Sequence, residues 1–341
     1  MNKEKASQEI INELFDEMEK GNGTFVKNSL ETFIEFDSFL EARKEITLSN
    51  GQKSTSSIDL YLASIFYNFP ESTKLLISEG YDGSSVSEIS GSWSNTFAPK
   101  SIFTKEELCI IGANDLCWAV MSDNGSALKN LLTTKLELDI PFDINARNAE
   151  IACLDDMSDS NYNKYTALDL AVMKYVAIKK IEGVILEAFN AADNNQILDL
   201  VRNMPKDRAN QLSKIASEIN NKPIMSVDKL SNIAEVFFKS GLPKNFNNNN
   251  NDFIATRMVE KNIWALLDNG AIGSDLSYFP LSEESQKNPF NCNDSFEILS
   301  LQEFCKNNSD LFSDDILNRI TNGPSEIQCE LSLKFSQARP Q

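Results

Sequence analysis

Histidine is absent from all 341 residues, and this limits the chemistry open to the chain. Ser-His-Asp and Cys-His nucleophilic catalysis, the HExxH zinc site and most zinc ligand sets each need an imidazole. What remains is carboxylate, lysine, tyrosine or lone-thiol chemistry. The densest carboxylate group is Asp155, Asp156 and Asp159, with Asn161 beside it. As a cation loop it fails the EF-hand pattern: it has no central glycine and no glutamate at the twelfth place, and Met157 interrupts the ligands. Solvated loop carboxylates are the simpler reading. The six cysteines, Cys109, Cys117, Cys153, Cys292, Cys305 and Cys329, form no CxxC pair. They are expected as free thiols in a reducing compartment. Cys109 and Cys117 fall on apolar stretches read as helix faces, where buried, inert thiols are the rule. Neither GxxxxGK[ST] nor a GxGxxG opening a helix occurs. No catalytic residue, metal ligand or cofactor site is therefore assigned.

The surface implied by the composition is acidic, with 50 Asp and Glu against 32 Lys and Arg, net −18. It repels phosphate backbones and anionic headgroups, so neither nucleic acid nor a membrane surface is the expected partner. No apolar run approaches the roughly 20 residues that cross a bilayer. The amphipathic start, MNKEKASQEIINELFDEMEK, lacks the apolar core of a signal peptide, so a cytoplasmic location is expected.

The elements that would position any site are helical. Ile10, Ile11, Leu14, Phe15 and Met18 have helical spacing, GNG at 21–23 stops that segment, and Phe25 to Ile46 reads as a second helix. A pattern then recurs in Ser56–Asp82, Ala113–Asp139 and Lys164–Asp193. Each stretch has a Leu three places before an Ala: Leu60/Ala63, Leu116/Ala119 and Leu168/Ala171. A second helical pattern in each ends in a branched pair, Leu75-Leu76, Leu131-Leu132 and Ile185-Leu186. The alanine lets two helices approach closely, and a glycine after the second helix takes the left-handed cap without steric cost. Thr166 and Asp169 are spaced for a capping box.

These stretches resemble the ankyrin repeat, T-P-L-H-x-A followed by a second helix ending L-L-x-x-G-A. The opening motif stands as IDLYLA, NDLCWA and TALDLA. The closing motif stands as LISEGYD, as AEVFFKSGLP at 234–243 and, most faithfully, as ALLDNGAIGSD at 265–275. DFIATRMVEKNIW, residues 252–264, would supply the first helix of the last unit. The motif's His is replaced by Tyr61, Cys117 and Asp169, which predicts a weaker clamp between neighbouring loops. Lys135 stands near the glycine expected to close the second unit. The alanines lie much further apart than the roughly 33 residues of a regular array, so long insertions must separate the copies.

The insertions are polar: residues 82–101 contain Trp93 and Phe97, 146–164 join two units, and 244–252 form an asparagine tract. Hairpin-like loops within 139–164 would support ankyrin stacking, and plain helical turns would sink it. Two further short helices are expected beyond 285, in DSFEILSLQEFCKNN and SDDILNRITNG. The fold class expected is all-α, a stacked helix-pair solenoid of ankyrin-like units with long loop insertions. Its parts are a helical cap at 1–50, degenerate repeats at 51–285, and a C-terminal helical cap and tail at 286–341.

The resemblance implies a protein-binding adaptor or scaffold with a protein partner and no small-molecule cofactor. The contact residues it suggests lie at or before the first-helix starts: Asp59, Asp115, Lys164 and Tyr165. Trp93, an aromatic in a polar loop, is added on its own chemistry, whereas Trp118 and Trp264 are expected in the core. Richness in Asn, Lys, Ile and Ser beside a eukaryotic-type repeat resembles host-directed, Legionella-like effectors of intracellular bacteria. On that resemblance the partner is a host protein in the host cytosol. The alternatives are a histidine-free carboxylate or thiol enzyme on a helical scaffold, and a helical solenoid unrelated to ankyrin.

Overall fold

Among the described residues the apolar stripes read from the sequence meet in one shared core that extends from Ile11 to Ile320. The computed structural model describes residues 8–32, 43–47, 53–78, 81, 87–91, 108–122, 124–151, 162–176, 179, 254–280 and 296–322. These residues are mostly helical, with short strands between the helices.

Helix α1 (Gln8–Glu19) buries Ile11, Leu14, Phe15 and Met18. It stops at Gly21, whose φ of +80° suits glycine alone, with Asn22 N donating to Glu17 O at 2.8 Å. Helix α2 (Gly23–Thr32) buries Val26 and Leu30. The expected helix to Ile46 is corrected at its end, because Arg43–Thr47 is a strand, β1. It pairs antiparallel with β2 (Lys53–Asp59), Arg43 opposite Asp59 and Thr47 opposite Lys53. Strand pairing satisfies the backbone there and overrides a spacing that also suited a helix.

From β2 onward a strand leads into a short buried helix, and that helix turns back into another. Asp59 ends β2 and N-caps α3 (Leu60–Phe66), accepting from Leu62 N at 2.8 Å. All seven residues of α3 are buried, so no face of it meets water. Asn68, at φ 60°, makes the turn into α4 (Pro70–Ser78), which starts on a proline whose missing N–H costs nothing at that place. Strands β3 (Ser87–Gly91) and β4 (Leu108–Ala113) then pair, with β5 (Glu150–Ile151) on the other side of β4. Cys109 therefore lies on a strand, not on the helix face expected of it.

Asn114 caps α5 (Asp115–Met121), which is followed by α6 (Ala127–Glu137). Ala149 bridges to Tyr165, and α7 is described over 167–176. After it come α8 (Ile254–Asp268), the pair β6 (Ser277–Pro280) and β7 (Phe296–Leu299), then α9 (Leu301–Asn307) and α10 (Asp314–Asn322). Of the two helices expected beyond 285, the first is shorter, because its opening residues pair as β7.

Helices α1, α3 and α5 pack in succession, as do α2, α4, α6, α8 and α10. Helix α7 joins the first row through its own bonds. Lys174 Nζ reaches Val120 O and Met121 O at the end of α5, at 3.3 and 3.2 Å, and Tyr175 Oη donates to Leu311 O beyond α9 at 3.1 Å.

This order corrects one assignment of the sequence reading. Residues 254–268 form one continuous helix rather than the first helix of a last unit and the start of its second. Helix α8 lies against α6 and α10, and the loop after it bonds through Ser274 to Asp169 near the start of α7. The expected second helical pattern ending in Ile185-Leu186 and the match at 234–243 fall outside the described residues, apart from Lys179. The expected boundaries at 50/51 and 285/286 each fall between two strands that pair with one another.

Candidate functional site

The starts of α3, α5 and α7 carry a row of polar side chains inside the protein. Asp59, 2% exposed, accepts from Tyr81 Oη at 2.6 Å as well as from the α3 backbone. The Tyr81 ring lies 4.3 Å from that of Tyr61, whose hydroxyl donates to Asp115 Oδ2 at 2.7 Å. The same oxygen of Asp115 meets Lys135 Nζ at 2.6 Å, and its other oxygen accepts from Leu116 N at 2.8 Å. Both charged side chains are almost entirely removed from water, at 3% and 5% exposure. Phe142 lies over the ammonium, its ring centroid 5.9 Å away.

At α7 the expected capping box forms. Thr166 N donates to Asp169 Oδ2 at 2.7 Å, and Asp169 N donates back to Thr166 Oγ1 at 3.1 Å. Asp169 also accepts from Ser274, from its N–H at 3.0 Å and from its hydroxyl. At α9 a second capping box joins Ser300 and Glu303. The S-x-x-E at 300–303 was its signal in the sequence, and SLQEFC lines up with TALDLA, cap on cap. Cys305 then stands where Ala63, Ala119 and Ala171 stand.

The three residues in place of the motif's histidine are all buried, and two of them bond forward along the row. Tyr61 reaches Asp115 at the start of α5, and Asp169 holds Ser274 ahead of α9. Both positions therefore carry hydrogen bonds to residues far along the chain. Cys117 makes its own link through its backbone, donating to Asn114 Oδ1 at 3.0 Å.

A second correction concerns Lys135. Tyr81 N, Ile140 N and Ala271 N donate to Leu76 O, Lys135 O and Leu266 O at 3.1, 2.9 and 3.0 Å, so these three helix ends are equivalent. Lys135 therefore occupies the core place that Leu76 and Leu266 fill elsewhere. Asp139, at φ 56°, takes the left-handed cap that Gly270 takes at φ 84°. Counting from Leu131-Leu132 misaligned the closing motif, because nothing in the pattern marks a lysine as a core residue.

Of the five suggested contact residues, three are interior. Asp59 and Asp115 are bound as above, and Tyr165, fully buried, donates its hydroxyl to Tyr278 O at 2.6 Å. They are corrected from contact residues to packing residues, since helix starts placed against one another have no water-facing side. Lys164 is the exposed one, at 48% of its side chain, 3.8 Å from Glu150. Its carbonyl accepts from Arg147, whose guanidinium also reaches Leu276 O and Ser277 Oγ, each at 2.9 Å. Trp93 and the Asp155, Asp156 and Asp159 cluster lie outside the described residues. Trp118 is fully buried, edge-on to Phe66 with ring centroids 5.7 Å apart, and Trp264 packs at the margin of the core, both as expected.

Chemically this row is quiet. Burial and the neighbouring Asp115 carboxylate push the Tyr61 phenol far above its ordinary range. Burial pushes the Cys117 thiol up to about 12, so it is no thiolate at neutral pH. The Cys305 thiol moves in the same direction for the same reason. Among the described residues no three Cys, Asp or Glu side chains gather into a metal-holding group, and no helix is long and apolar enough to cross a membrane. Comparison with known proteins finds no family model, no curated protein and no solved structure that matches the chain.

Proposed function

We propose that the chain is a protein-binding adaptor whose scaffold is a solenoid of ankyrin-like units, each a strand pair followed by two antiparallel helices. One observation carries this reading. Ser122 and Lys174 stand three places after Ala119 and Ala171, and each reaches back to the carbonyls ending the preceding first-row helix. Ser122 Oγ donates to Phe66 O at 2.5 Å, and Lys174 donates to Val120 O and Met121 O. Residues at the same place after the alanine, each bonding to the last turn of the preceding first-row helix, are what stacked repeats would produce. The Ala149–Tyr165 bridge and the β4–β5 pairing lend further support, being hairpin-like features in the span where plain helical turns would have spoken against ankyrin stacking.

Binding follows from the scaffold by elimination of chemistry rather than by a visible pocket. The polar groups at the helix starts are engaged in holding the units together. Recognition is then left to the loops and to exposed residues such as Lys164. The assignment rests on analogy between folds and is tested as such. The effector resemblance makes a host-cell protein the partner to look for. The intact chain is used for affinity capture from host-cell lysate, with controls whose 82–101 or 146–164 loop is exchanged for a neutral linker. Specific capture lost with one loop supports the adaptor, and failure to capture any specific protein overturns it. For the rival enzyme reading, Asp155→Ala with Asp156→Ala should leave a scaffold's cellular effect intact. Loss of that effect in a normally folded double variant favours the enzyme.

A further inference from the structure

Asp169 has no cation beside it among the described residues. It is fully buried, and its donors are all neutral: Thr166 N and Oγ1 from its own capping box, Ser274 N and Oγ from the loop after α8. Ser274 is held on its other side as well, its carbonyl accepting from Leu301 N, the first residue of α9, at 3.0 Å. Gly273 lets this loop come close: a Cβ there would stand 2.1 Å from Leu301 Cδ2. A continuous bonded path therefore runs from the start of α7 through Ser274 to the start of α9.

We propose that Asp169 is a proton-operated latch that governs how tightly the C-terminal helix pair, α9 and α10, is docked on α7. Both states of the latch can be satisfied where they stand. The carboxylate accepts from all four donors but buries its charge uncompensated. The carboxylic acid can donate to the Ser274 or Thr166 hydroxyl, each of which has lone pairs to accept, while both backbone N–H groups keep their bonds.

Burial raises the carboxyl above its ordinary range, outweighing the four hydrogen bonds that act to lower it. Among the described residues the other titratable groups facing it are Cys117 from α5 and Cys305 from α9, whose thiols burial has moved up and out of the window. Lys174, on α7 itself, directs its ammonium at the α5 carbonyls. The sign follows. Undocking returns Asp169 to an ordinary aspartate, so between the ordinary and the raised value it releases a proton. The docked state is then tightest in acid and loosens as pH rises.

The test is amide hydrogen exchange on the full chain from pH 5 to 8, corrected for intrinsic rates. Protection of Leu301 and Phe304 in α9 is read against Leu62 in α3. The expected result is a relative protection that grows as pH falls, by up to about tenfold per pH unit within the window. In Asp169→Asn the ratio should be flat. A flat ratio in the native chain, or an unchanged slope in the Asn variant, overturns the latch. Should Asp169→Asn not fold, Ser274→Ala decides. It removes one donor from the carboxylate, so the window should move to higher pH, and a window that stays in place overturns the proposal.

Discussion

Lys135 and Asp115 show how single residues of this protein depart from a repeat pattern without breaking it. A buried pair is costly to desolvate, and breaking it by removing one partner costs more than removing both. Lys135→Leu alone, which leaves Asp115 buried with only the Tyr61 hydroxyl and a backbone N–H, should destabilise the chain by about 3–5 kcal/mol. Adding Asp115→Asn should recover most of that loss, since leucine restores the residue type found at Leu76 and Leu266. Urea unfolding of the two variants measures the difference, and equal losses would show that the charge of Asp115 is not what Lys135 offsets. Asp139 offers the reverse case. It is exposed and adopts φ 56°, so Asp139→Gly should raise stability by up to about 1 kcal/mol, visible as a higher melting temperature.

At the scale of elements, the link between the start of α7 and the loop after α8 is the least expected feature. Asp169 meets Ser274 across a stretch of sequence longer than any turn between neighbouring helices requires. Helix–helix connections in packed bundles take roughly 2–8 residues. Replacing 181–250 by a flexible linker of about eight residues should therefore leave the scaffold folded. Far-UV circular dichroism melting checks this, with a melting temperature within a few degrees of the full chain's as the expected result. A non-cooperative melt would mean that the replaced segment is needed to close the core. Elements were legible from sequence where a cap or a stripe marked them: the stop after α1, the Thr166 box and the Asp314 start of α10 are all in place. Elements governed by pairing were not, which is why β1 and β7 were read as helix.

For the molecule as a whole, the net charge of −18 works against the compact state through repulsion among exposed carboxylates. Raising salt from about 10 to about 150 mM shortens the screening length from roughly 30 to 8 Å and should raise the melting temperature. A melting temperature that falls with salt would show that attractive surface pairs such as Lys74–Glu137 outweigh the repulsion. The buried Lys135–Asp115 pair lies beyond the reach of that screening.

Taken alone, the sequence determined the helical character of the chain, the alanines at which helices approach and the glycine that closes α8. These are local properties: side-chain size, apolar spacing and backbone freedom act within a turn or two of the residue that carries them. Tertiary structure decided which stripe covers which, that the loop after α8 meets the start of α7, that Tyr61 and Asp169 bond to residues far along the chain, and that Lys135 is a core residue. An apolar stripe states that it must be covered, but not by what. A buried lysine or aspartate reads as a surface residue until its partner, far away in the chain, is brought beside it.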